Sequence, residues 1–117
     1  KVPIAYALNY PYRKKNSFQK LDLISTGTLT FQEADIETFE CLRLAYQAIK
    51  MGGTMAAVLN AANEKAVDLF IKKEIGFLDI SKIIEKVMNK HKNVLNPTLE
   101  EILYIDTWAK KIAEEIA

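Results

Sequence analysis

The chain has 117 residues, half of them apolar and 26% charged, which suits one small globular core and is too apolar for a disordered segment. Its 16 basic and 15 acidic side chains nearly cancel, so charge gives no case for a nucleic acid or an anionic membrane as partner. A lone cysteine, Cys41, excludes an internal disulfide; with no charged and apolar leader at the front, the chain is expected in the reducing cytosol, and no apolar run has membrane-spanning length.

The chain opens on Lys1-Val2-Pro3-Ile4, without methionine and already inside an apolar pattern, and so reads as part of a longer polypeptide. Pro3 to Tyr10 suits a short helix, since proline at a first helical turn forfeits an N–H that has no partner anyway, and Pro11 ends it. Tyr12 to about Glu37 is mixed. Leu21, Leu23, Leu29 and Phe31 are spaced by polar residues and Gly27, a pattern that predicts an extended connector docked on a surface, with Leu29-Thr30-Phe31 in a strand.

From Phe39 the apolar period becomes helical. Cys41, Leu42, Ala45, Ala48 and Ile49 predict one stripe, closed by a turn at Gly52-Gly53. A second helix starts near Thr54, ends before Gly76 and places Met55, Leu59, Ala62, Ala66, Leu69 and Phe70 on one face, with Leu59 at the centre of the core. Asp79 is the expected cap of a third, whose stripe runs through Ile80, Ile83, Ile84, Val87, Met88 and His91 until Asn93 to Pro97 breaks it. Thr98 followed by Glu101 has the capping-box form and starts the last helix, with Ile102, Ile105, Ala109, Ile112, Ala113 and Ile116 along one side. Four such stripes can be buried only against one another, so the expectation is an all-α fold: an antiparallel four-helix bundle over 38–117, preceded by a short helix and an extended connector.

Chemistry-bearing residues are sparse. His91, the only histidine, has no metal-ligand partner at suitable spacing and is expected at a helix end, where its cation meets the dipole. Cys41 lacks a neighbouring base and is expected as a buried core thiol. Gly27, Gly52, Gly53 and Gly76 do not cluster into a phosphate loop. Glu100, Glu101, Glu114 and Glu115 suit solvated helix faces, and Trp108 a core or interface anchor. Asn60-Ala61-Ala62-Asn63-Glu64 is harder to place: asparagine is a mediocre helix former, so Asn60 and Asn63 are either exposed or bonded to backbone of a neighbouring segment. No catalytic, cofactor-binding or metal-binding residue is assigned.

These segments, in order, resemble a known family. Pro3-Ile4-Ala5-Tyr6-Ala7-Leu8 and Tyr10-Pro11-Tyr12-Arg13 are similar to the end of the catalytic domain of the 1-deoxy-D-xylulose 5-phosphate reductoisomerases, with Tyr12 where a smaller or acidic residue is expected. Leu21-Asp22-Leu23 and Leu29-Thr30-Phe31 resemble the family's linker. Cys41-Leu42-Arg43-Leu44-Ala45, Ala57-Val58-Leu59-Asn60-Ala61-Ala62-Asn63-Glu64, Phe77-Leu78-Asp79-Ile80 and Ile105-Asp106-Thr107-Trp108-Ala109 resemble its helical domain. The resemblance implies that residues 1–13 end a catalytic domain, 14–37 form a connector and 38–117 a C-terminal bundle. It further implies a parent enzyme of non-mevalonate isoprenoid biosynthesis, using NADPH and a divalent metal, magnesium or manganese, and forming a homodimer. The residues for that chemistry would lie upstream, this segment would bind neither cofactor, and its partners would be the upstream domains of the same chain. A stand-alone helical interaction module is the competing expectation; it would have no need of the stretch from Pro3 to Phe31.

Overall fold

The computed structural model describes residues 1–117, all helix, turn and coil with no strand, and divides into two units, Lys1–Glu33 and Ala34–Ala117. In the first unit, helix α1 spans Val2–Asn9 with Pro3 in its opening turn and stops ahead of Pro11. The Arg13 guanidinium lies 4.4 Å from the centre of the Tyr6 ring, a cation–π contact, and Tyr6 meets Tyr10 edge-on. A second helix, α2, spans only Leu23–Thr26: Asp22 Oδ1 accepts the N–H groups of Ile24 and Ser25 at 3.0 and 3.3 Å, and Gly27 ends it at φ +72°. The expected strand at Leu29–Phe31 does not form; these residues are coil and make no ladder of backbone bonds. No residue of this unit is buried.

The second unit holds α3 (Glu40–Met51), α4 (Met55–Ile71), α5 (Asp79–Lys90) and α6 (Leu99–Ile116). Helix α4 packs against all three others; α5 also meets α3 and α6, while α3 and α6 do not touch. The bundle is therefore organised around α4 rather than as four equivalent corners. Its sequence suits that place, because Ala61, Ala62 and Ala66 are fully buried and let neighbouring helices approach closely from more than one side.

On α5 the five expected apolar residues, Ile80, Ile83, Ile84, Val87 and Met88, are all buried. On α6 Ile105, Ala109 and Ala113 are buried, with Ile112 and Ile116 packed partly against them. The capping box is present in both directions, Glu101 N–H to Thr98 Oγ1 at 3.2 Å and Thr98 N–H to Glu101 Oε2 at 2.7 Å.

Three expectations are corrected. On α3 the buried residues are Leu44 and Ala48, whereas Cys41 is exposed and Ile49 is 74% exposed, so the helix is rotated relative to the predicted stripe. Arg43–Glu85 (2.9 Å) and Ser81–Glu40 (2.5 Å) join its polar side to α5. On α4 Val58 occupies the centre of the core, and Leu59 is half-buried at its edge. Asp79 is the first residue of α5 rather than its cap; its Oδ2 accepts the Gly76 N–H at 3.0 Å and so braces the preceding turn.

Candidate functional site

The densest polar cluster lies where the α3–α4 turn meets the α5–α6 loop. Gly52 and Gly53 both have positive φ, +65° and +57°, which L side chains rarely adopt. A methyl group on Gly53 would run into the Val94 carbonyl and the Asn93 side chain, so here glycine also permits the two backbones to approach. Thr54 follows, 1% exposed and the one buried polar side chain of the core. Its N–H donates to the Val94 carbonyl at 3.0 Å, and its Oγ1 accepts the Val94 N–H at 3.1 Å. The same hydroxyl donates to Asn93 Oδ1 at 3.1 Å and lies 2.7 Å from His91 Nε2.

Proton counting assigns the tautomer. Asn93 Nδ2 donates to the Met51 carbonyl at 3.3 Å, which leaves Oδ1 to take the single hydroxyl proton of Thr54. The hydroxyl can then only accept from His91, so Nε2 carries a proton. Burial pushes the His91 pKa below its ordinary value, favouring the neutral ring. The ring tilts against Trp108 at 5.4 Å between centres. His91 thus terminates α5, as expected, but as a neutral donor in a packed node rather than as a cation on a helix dipole. At the start of α4 the Thr54 N–H is taken by the chain's own Val94 carbonyl and the Met55 N–H by that of Gly52.

The other singled-out residues do not converge here. Cys41 sits at the start of α3, its thiol pKa raised by partial burial and by the neighbouring Glu40, which disfavours the nucleophilic thiolate. Asn60 is exposed and its Nδ2 donates to Glu64 Oε1 at 3.2 Å, while Asn63 is half-buried. Glu64 also pairs with Lys110 at 2.9 Å, which in turn holds Asp106 at 3.0 Å; Lys110 first and Asn60 second lower the Glu64 pKa. Glu101 serves the capping box, Glu114 pairs with Lys65 at 2.9 Å, and Trp108 anchors partly on the core. No three His, Cys, Asp or Glu side chains come together as a metal-ligand group, so the residues present do not fit a divalent ion. No helix is long and apolar enough to cross a membrane. Sequence reasoning missed Thr54 and Asn93 as partners. The one available signal was the Gly-Gly pair, which marks a close backbone approach but does not name what approaches.

Together these features define a helical bundle domain whose buried polar cluster serves its own turns. Comparison with known proteins places it: the chain belongs to the family described as the DXP reductoisomerase C-terminal domain, whose sequence model matches residues 1–112. The 1-deoxy-D-xylulose 5-phosphate reductoisomerase of Acetivibrio thermocellus is 55% identical over 116 residues, 99% of this chain and 30% of that protein. That of Thermoanaerobacter pseudethanolicus is 52% identical over 118 residues, again 30% of its length. Among solved structures, the Zymomonas mobilis reductoisomerase in complex with NADPH is 39% identical with a TM-score of 0.79, matching 98% of this chain and 30% of that one. A DOX-P reductoisomerase in complex with NADPH, fosmidomycin and magnesium is 35% identical with a TM-score of 0.68, over 98% of this chain and 30% of that one. The chain thus spans about 30% of the length of the curated relatives it matches.

Proposed function

We propose that this chain is the C-terminal structural part of an enzyme that converts 1-deoxy-D-xylulose 5-phosphate to 2-C-methyl-D-erythritol 4-phosphate with NADPH and a divalent metal. The observation that carries the reading is the family match over residues 1–112, to a domain described as C-terminal, with relatives that extend well beyond the matched segment. Residues 1–13 are then the end of the catalytic domain, 14–37 a connector, and 38–117 a bundle that supports the upstream domains. The parent would be a cytoplasmic homodimer. No seat for NADPH or metal is assigned on this chain, and no catalytic step is routed through it.

Calorimetric titration of the 117-residue chain with NADPH and with magnesium tests the division of labour: neither should bind, while the full-length parent should oxidise NADPH when given the substrate and metal. Saturable micromolar binding of NADPH to the isolated chain would overturn the assignment. So would a full-length parent that does not turn over.

A further inference from the structure

Helix α3 is more apolar than the bundle requires. At about 100° per residue, Leu44, Ala48, Cys41, Ala45, Ile49, Leu42 and Tyr46 follow one another around an arc of roughly 200°. Only Leu44 and Ala48, at one edge, are buried. Of the remainder, Ala45 is half-buried, whereas Cys41, Leu42, Tyr46 and Ile49 are exposed, Tyr46 and Ile49 by 62% and 74%; α3 contacts α4 and α5, not α6. At the N-terminal end of α3 this face runs into an apolar groove lined by Phe39, Cys41, Phe77 and Leu78, of which all but the cysteine are large hydrophobic residues more than half exposed. Isolated exposed apolar residues are ordinary, but a helix with a second apolar stripe beside such a groove is a contiguous patch.

We propose that the outer face of α3, with the Phe39–Phe77–Leu78 groove, is the seat of an apolar surface of the parent's own upstream portion, the part absent here. The inference rests on the reading of the chain as a C-terminal part. Relatives carry about 70% of their length beyond the matched segment, and the matching family is a C-terminal domain, so that portion precedes Lys1. Tethering places it at an effective concentration in the millimolar range, which favours it over a second copy for an uncharged face of this kind. The groove's charged rim, Glu37, Glu40 and Lys82, is mixed in sign and selects no strongly charged partner.

Cys41 lies in this surface and reports on it. Its labelling by a maleimide, followed by mass spectrometry of the Cys41 peptide, should be slower by about tenfold or more in the full-length parent than in the 117-residue chain at the same pH. Ile49→Lys should restore fast labelling and lower the Tm of the parent, while leaving the Tm of the isolated chain unchanged. If that variant does not fold, Ile49→Ser replaces it, and the wild-type comparison stands without either. Equal labelling in the two wild-type proteins would overturn the inference, as would protection lost on dilution, which would make a second copy the occupant. Turnover of NADPH by the same full-length preparation keeps the two readings apart. Active enzyme with an unprotected Cys41 removes this surface and spares the function, whereas protection without turnover does the reverse.

Discussion

Lys1–Glu33 and Ala34–Ala117 draw on the same kinds of residue and use them differently. The first unit caps a four-residue helix with Asp22, seats Pro3 in a helix start and stacks Arg13 on Tyr6, yet Leu8, Leu21 and Ile24 are all more than 70% exposed. In the second, Leu44, Val58, Ile83, Ile84, Val87 and Ile105 disappear into one core. Local hydrogen bonding shapes a segment, but only mutual burial makes apolar side chains stabilising, at about 25 cal/mol per Å² removed from water.

The contrast is sharpest for a pair of isoleucines. Ile84→Ala, which empties a site 2% exposed, should destabilise the chain by about 2 to 5 kcal/mol, whereas Ile24→Ala, at 95% exposure, should stay within about 0.5 kcal/mol in urea unfolding. Comparable losses at both would mean that the first unit has a core after all. Next comes the buried node. Thr54→Val keeps the shape but leaves the Val94 N–H and the His91 and Asn93 side chains short of a partner, for an expected loss of about 1 to 3 kcal/mol; an unchanged urea midpoint would show that the node contributes nothing. Thr98→Ala removes one half of the capping box at an exposed helix start and should cost about 0.5 to 2 kcal/mol, with amide exchange quickened in the first turn of α6 rather than throughout.

The smallest effect is a pH dependence. Because burial lowers the His91 pKa, the unfolded chain binds this proton more readily than the folded one, so the stability is fully present above about pH 6.5 and is lost as pH falls through the depressed folded value. Glu64 and Asp79, whose pKa values are lowered mainly by Lys110 and Lys82, contribute in the same sense but only in the more acidic carboxylate range. His91→Gln should therefore flatten the Tm profile just below pH 6.5 and leave the acid limb in place. A slope there identical to that of the wild type would sink the assignment.

The Thr98–Glu101 box, the Gly52-Gly53 turn and the whole apolar stripe of α5 were legible in the sequence, because each rests on backbone geometry within one or two turns of chain. The family resemblance was legible too, in the order of its motifs. Tertiary structure alone settled which side of a broadly apolar helix turns inward. On α3 the wide arc permitted several rotations, and packing against α4 and α5 takes in Leu44 and Ala48 and leaves Cys41 outside. It likewise chose Val58 over Leu59, since a helix flanked on three sides is not described by a single stripe, and it brought His91 and Asn93 onto Thr54 across some forty residues of sequence, a separation over which periodicity carries no information.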